Sequence, residues 1–114
     1  MPYIATKTSA KITDEQKSAL TRAFGEAITL IKGKSERWLM LDFSAERSMA
    51  FRGTSCEHTC MVEVSLFGKA TQKEYSALTA KICEIIAEVL GVSPERTYVK
   101  YSEIDTWGYN GENF

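Results

Sequence analysis

A proline directly after Met1 gives this chain an unusual candidate for a base. Because proline is small enough for the preceding methionine to be removed, processing would leave Pro2 as a secondary amine at the chain terminus. A terminal α-amine titrates at about 7.7–8, and both burial and a neighbouring cation lower that pKa. Lys34, which follows Gly33, is the candidate for the cation. The pair predicts a neutral amine that acts as a general base near physiological pH.

Other catalytic groups are scarce. His58 is the single histidine, and it lies between Cys56 and Cys60 in a C-x-H-x-C pattern that lacks an evident fourth ligand for zinc. The chain has no serine-hydrolase, phosphate-loop or dinucleotide-binding motif. Because the number of cysteines is odd, a complete disulfide framework cannot form, and reduced thiols are expected. We therefore expect no metal and no cofactor.

Length and composition indicate one domain over residues 1–114. The 114 residues are 44% hydrophobic and 25% charged, which excludes disordered and low-complexity classes. Lys plus Arg number 14 and Asp plus Glu 15, so the net charge of −1 argues against a nucleic-acid partner. No apolar run approaches the roughly 20 residues of a membrane span, and the N-terminus lacks a signal-peptide pattern. We expect a cytoplasmic protein without membrane contact.

The two halves of the chain repeat each other in one gapless register. Ser18 to Thr21 and Ser76 to Thr79 both read S-A-L-T, and the match continues to Gly33 over Gly91. A register that also aligns helix caps and end glycines indicates a duplicated unit, over residues 2–58 and 60–114.

Each half contains one amphipathic helix. Apolar residues recur at steps of three and four after Thr13 in the first half and after Thr71 in the second, as one buried helical stripe requires. Each threonine is followed three residues later by Gln or Glu, which is the spacing of a capping box. Gly33 and Gly91 are predicted to end the helices in the left-handed conformation.

Short stretches rich in β-branched and aromatic residues flank each helix and predict strands. These stretches run from Pro2 to Thr8, Trp38 to Phe43, Met61 to Phe67 and Thr97 to Tyr101. Two pseudo-symmetric β-α-β units can form an α+β domain with a four-stranded mixed sheet and two helices on one face.

An unbroken apolar run, Trp38 to Leu41, predicts a strand that is covered on both faces. Two helices can cover only one face of the sheet. The second cover is therefore expected from another subunit, with a monomer that leaves an apolar sheet face partly exposed as the alternative.

Motifs distributed over the whole chain occur together at consistent separations. They are Met1-Pro2, Gly33-Lys34, Met49 to Phe51, Ser93 to Tyr98, and the tail Trp107 to Phe114 with the sequence W-G-Y-N-G-E-N-F. In this combination the chain resembles the tautomerase family of macrophage migration inhibitory factor and D-dopachrome tautomerase. The resemblance implies keto-enol tautomerase activity on phenylpyruvate-like aromatic keto acids, and a homotrimer with pockets at the subunit boundaries.

The resemblance also implies roles for individual residues. Pro2 would be the catalytic base, and Lys34 would hold the substrate carboxylate and keep the amine neutral. The backbone N–H of Phe67 would contribute to substrate binding, and Tyr98 of a neighbouring subunit would close the pocket. The apolar and aromatic wall would consist of Trp38, Met40, Trp107, Tyr109 and Phe114.

One residue departs from the pattern of the family. Lys100 stands two residues after Tyr98, where vertebrate members carry asparagine. It adds a second cation that we expect near the pocket mouth, which favours a more acidic substrate or changes the rate.

Two other functions remain open. The first is a cytokine-like ligand that keeps the trimer but binds a receptor of the host or of the same organism, as family members do after leaving the cell without a signal peptide. The second is a hydratase or dehalogenase of the wider superfamily. That chemistry adds arginines and a water-activating carboxylate around the proline, and Arg37 and Arg52 are near it only in sequence.

Overall fold

A computed structural model describes residues 1–114, and in it both long helices begin where the threonines predict. Helix α1 spans Asp14–Ala27 and helix α2 spans Gln72–Leu90. The hydroxyl of Thr13 accepts from the backbone N–H of Gln16, whose side chain accepts in turn from the Thr13 N–H. An equivalent capping box begins α2. These reciprocal bonds satisfy amides that the first helical turn leaves without partners.

The two helices end differently. Helix α2 ends at Gly91, which adopts the predicted left-handed conformation with φ of 70°. Helix α1 ends earlier than predicted, at Ala27, and continues as a 3-10 turn over Ile28–Leu30. The hydroxyl of Thr29 donates to a carbonyl of the preceding turn and so competes with the α-helical pattern. Gly33, with φ of 84°, therefore turns the loop after the helix and does not cap the helix itself.

The predicted α+β class and four-stranded mixed sheet are confirmed. Strand β1 is parallel to β2 and antiparallel to β3, and β3 is parallel to β4, which gives the order β2-β1-β3-β4. A separate two-stranded hairpin, β5 and β6, follows near the end of the chain. The strands are β1 Pro2–Thr8, β2 Met40–Ser44, β3 Cys60–Phe67, β4 Thr97–Ile104, β5 Gly108–Tyr109 and β6 Glu112–Asn113.

The predicted start of the second strand at Trp38 is wrong, whereas cover of its second face by another subunit stays a prediction. Trp38 lies in a 3-10 turn, Glu36–Trp38, and β2 begins only at Met40. Strand β2 is an edge strand, and within one chain Trp38 is 42% and Met40 66% exposed. The apolar run therefore combines a turn with an edge strand, and its exposed side chains form a wall that is described below.

Both helices pack on the same face of the sheet. Leu20 and Phe24 of α1 and Leu78 and Ile82 of α2 are fully buried in one cluster with alternate residues of the central strands. Those strand residues are Ile4, Val62, Val64 and Leu66. The predicted apolar stripes are thus the buried helix faces, and neither helix has the length and apolarity that crossing a membrane requires.

The helix-free face of the sheet is polar at its centre. Lys7 and Lys100 both pair with Glu63, at N–O distances of 2.6 and 3.3 Å. Nearby, the hydroxyl of Tyr3 donates to Asp42 over 2.7 Å. A strand alternates its side chains between the two faces, so these residues project away from the helices. Apolar side chains on this face therefore lie toward the two ends of the sheet.

Candidate active site

Pro2 is held firmly at one end of the sheet. It is the first residue of β1, is buried, and lies opposite Leu66 of β3. The carbonyl of Met1 accepts from the backbone N–H of Phe67 over 3.1 Å. The sheet therefore fixes the backbone on both sides of the Pro2 nitrogen.

The loop after α1 brings Lys34 to this point. Its Nζ donates to the carbonyl of Phe67 over 2.8 Å and lies within hydrogen-bonding reach of the Met1 amine. Burial, then the charge of Lys34, then its hydrogen bond lower the pKa of that amine from 8.0 to about 6. The structure thus places Lys34 beside the amine of Met1, and the pairing of Lys34 with the amine of a processed Pro2 stays a prediction.

An apolar cavity opens beside Pro2. Its volume is about 640 Å³, which is within the range of small-molecule sites. Predicted site residues that line it are Pro2, Trp38, Met40, Trp107 and Tyr109. The structure therefore brings the candidate base together with most of the predicted apolar wall.

The hairpin of β5 and β6 shapes the outer wall of this cavity. The rings of Trp38 and Tyr109 meet edge to face, with their centroids 5.3 Å apart. Sequence analysis missed the hairpin, although Asn110 and Gly111 both have positive φ, as a type I′ turn requires. The N-G pair was the local signal that could have revealed it.

Phe67 and Phe114 lie beside the cavity but are absent from its lining. Their ring centroids are 6.2 Å apart, and the Phe114 N–H donates to the carbonyl of Trp107. The backbone of Phe67 already makes two hydrogen bonds, because its N–H donates to the Met1 carbonyl and its carbonyl accepts from Lys34.

Tyr98 and Lys100 lie away from Pro2 within one chain. Tyr98 pairs with Met61, which lies opposite Lys7, so it is five strand positions from Pro2. At 3.3–3.4 Å per residue this separation is about 17 Å along the sheet. The ring of Tyr98 packs edge to face on Phe51, and Lys100 pairs with Glu63. Neither residue reaches the cavity of its own chain.

The structure adds residues that sequence analysis did not assign to the pocket. Arg37 lines the cavity together with Pro2, a contact that the sequence alone did not establish. Tyr3, Leu39, Ser65 and Ile104 join it. Strand register explains the presence of Ser65 and Ile104 in the cavity, because these positions of β3 and β4 lie on the same face of the sheet as Tyr3.

A second cavity, of about 790 Å³, lies between α2 and β4. Its polar groups bond one another: the Tyr75 hydroxyl donates to Glu103, and the Thr79 and Tyr101 hydroxyls share a hydrogen bond. Burial and the bond to Glu103 raise the pKa of Tyr75 to about 12. The polar groups of this cavity thus partner one another. No group of three His, Cys, Asp or Glu side chains in the chain is placed to hold a metal.

Comparisons with known proteins agree with this geometry. The family model described as Macrophage migration inhibitory factor (MIF) matches residues 1–114. The chain is 26% identical to the macrophage migration inhibitory factor of Rattus norvegicus, over 100% of this chain and 99% of the relative. The crystal structure of Leishmania major MIF2 is 30% identical and superposes with a TM-score of 0.93 over 100% of this chain and 97% of the other. The homologue from Prochlorococcus marinus is 26% identical, with a TM-score of 0.83 over 98% of each chain. With the family model matched from end to end, this chain belongs to the macrophage migration inhibitory factor family.

Proposed function

We propose that this protein is a keto-enol tautomerase of small aromatic 2-keto acids, in which Pro2, freed of Met1, is the general base. Membership of the family supports tautomerase activity. The observation that carries the proposal is the position of Lys34, whose ammonium lies beside the terminal amine next to an apolar cavity. No cofactor takes part in this proposal.

The groups in the cavity suit the reaction chemically. In ketonisation, the neutral Pro2 nitrogen takes the proton of the enol hydroxyl and returns a proton to the adjacent carbon as the carbonyl forms. The reverse reaction removes that carbon-bound proton. Lys34 would bind the carboxylate, while Trp38 and Tyr109 would flank the aromatic ring. A base is most effective when its pKa is near the working pH. Burial and Lys34 lower the pKa of the Met1 amine, and we expect the same direction for the amine of processed Pro2.

Removal of Met1 would prepare three groups at once. While Met1 is attached, the Pro2 nitrogen is an amide and cannot act as a base. The Met1 carbonyl also occupies the N–H of Phe67, and its amine lies against Lys34. Processing would therefore expose the base, the carboxylate-binding cation and the backbone N–H of Phe67 in one step.

The test is ketonisation of phenylpyruvate, followed by ultraviolet absorbance, on protein whose intact mass reports the state of Met1. We expect clear turnover from the processed protein and none from a fraction that retains Met1. A processed, folded sample without turnover would refute the tautomerase proposal for this class of substrate.

We further infer a homotrimer in which the pocket is shared between subunits. Tyr98 lies about 17 Å along the sheet from Pro2 of its own chain, so it can close a pocket only by reaching a neighbouring copy. Tyr98 is 57% exposed and is anchored on Phe51, as a side chain that projects to a neighbour would be. Lys100, on the same strand face, would approach the same neighbouring pocket.

A mixing experiment tests the shared pocket. Pro2→Gly and Tyr98→Ala proteins should each be nearly inactive, while a co-refolded equal mixture should recover about a quarter of the wild-type activity. In random trimers, about one boundary in four joins an intact Pro2 to an intact Tyr98 of the neighbour. Recovery would be zero if Tyr98 acted within its own chain, and size-exclusion chromatography with light scattering would report the oligomer of each sample.

A hydratase or dehalogenase reaction has less support. Arg37 does line the cavity, but Arg52 stacks on Phe51 at the far end of the sheet, 5.5 Å from its ring centroid. The lining of the cavity contains no Asp or Glu. A carboxylate that could activate water for addition to an unsaturated acid is therefore missing from this wall.

A further inference from the structure

Arg37 is the only charged side chain among the residues that line the cavity beside Pro2. It belongs to the 3-10 turn Glu36–Trp38, and its guanidinium lies over the ring of Trp38, 5.2 Å from the centroid. Trp38 in turn packs against Tyr109. The guanidinium thus extends the aromatic wall of the cavity.

This guanidinium has no acidic partner. Ion pairs in the chain involve Lys7, Lys81, Lys100 and Arg96, and none involves Arg37. The Arg37 side chain also donates no hydrogen bond to protein. Arg96, by contrast, donates hydrogen bonds to the carbonyls of Phe51 and Thr54 and to the hydroxyl of Thr54. The planar donor fork of Arg37 therefore remains available to a ligand.

Lys34 and Arg37 are held by different contacts: Arg37 lines the cavity, and Lys34 lies behind Met1, outside the lining. Lys34 is bound to the Phe67 carbonyl beside the terminal amine, where the reacting keto acid must lie. Arg37 is held on Trp38, in the aromatic wall that Tyr109 completes. A ligand whose keto-acid end meets Lys34 and whose ring lies along Trp38 would present its far end to Arg37.

We propose that Arg37 is a specificity-determining residue that selects 2-keto acids with a second carboxylate at the end remote from the keto group. The proposal rests on the tautomerase function proposed above. Guanidinium and carboxylate match as planar, bidentate partners. A ring-borne carboxylate would find the free N–H donors of Arg37 in a wall that is mostly apolar.

The test compares phenylpyruvate with 4-carboxyphenylpyruvate in wild type and Arg37→Ala. Loss of a hydrogen-bonded charge partner should lower kcat/KM for the dicarboxylate roughly tenfold, through KM. The value for phenylpyruvate, which has no second carboxylate, should fall by a smaller factor. Arg37→Lys, which keeps the charge but loses the fork, should recover only part of the loss. Arg22→Ala, which removes an exposed charge from α1, is the matched control and should resemble wild type.

A binding measurement tests the role of Arg37 independently of catalysis. Quenching of Trp38 and Trp107 fluorescence by 3-(4-carboxyphenyl)propanoate should show roughly tenfold weaker binding in Arg37→Ala than in wild type. If wild type binds through Arg37 but turns over neither keto acid, the tautomerase proposal fails and the carboxylate subsite stands. Equal losses on both keto acids, or no loss on either together with unchanged binding, would overturn the role of Arg37.

Discussion

Inserting one alanine between Met1 and Pro2 is expected to lower kcat/KM for phenylpyruvate by about 10²–10⁴, the usual contribution of general acid–base catalysis. The insertion turns the Pro2 nitrogen into an amide, which has no basic lone pair. The new terminal amine lies one residue further on, about 3.8 Å away between Cα atoms. A loss of this size assigns the proton transfer to the nitrogen of Pro2.

The fold should survive this change. In the structure Met1 already precedes Pro2, and β1 still pairs along its full length with β3. An added residue ahead of Pro2 therefore occupies space that the chain already fills. Circular dichroism and the thermal midpoint should match wild type, and full activity in the inserted protein would contradict the role of Pro2. Because the insertion alters only the residues ahead of Pro2, the same protein also separates a receptor-binding role elsewhere on the surface from catalysis.

Lys34→Ala is expected to lower kcat/KM by about 100-fold near neutral pH, since it removes a hydrogen-bonded charge partner of the substrate carboxylate. It should also shift the pH dependence. In the structure, burial and then the charge and hydrogen bond of Lys34 lower the pKa of the Met1 amine, and we expect Lys34 to act in the same direction on the amine of processed Pro2. Without Lys34 the pKa of the amine rises, so the neutral base forms only at higher pH. The acidic limb of the pH profile of kcat/KM should therefore move to higher pH.

Lys32→Ala is the matched control for this prediction. Lys32 lies in the same loop and is exposed, and its hydrogen bond to Glu74 is donated by its backbone N–H. Its kcat/KM and pH profile should resemble wild type. A Lys34→Ala protein with reduced kcat/KM but an unmoved acidic limb would limit Lys34 to substrate binding and remove its influence on the base.

Local features of the fold could be predicted from the sequence. Thr13 and Thr71 mark the helix starts because a cap depends on residues only three positions apart. The apolar spacing in each half likewise identifies the buried face of each helix, and the alternation of short strands indicates the α+β class. The candidacy of Pro2 and Lys34 also followed from residue type and local position, since Pro2 follows Met1 and Lys34 follows Gly33.

Only the tertiary structure decided which of these groups meet. Trp38 leaves the predicted strand for a 3-10 turn, and the late hairpin places Tyr109 against it. Strand register puts Tyr98 at the opposite end of the sheet from Pro2 and joins Lys100 to Glu63. Arg37 enters the cavity through the same turn. Such contacts depend on pairing and packing between segments far apart in the chain, which periodicity and spacing within one segment do not encode.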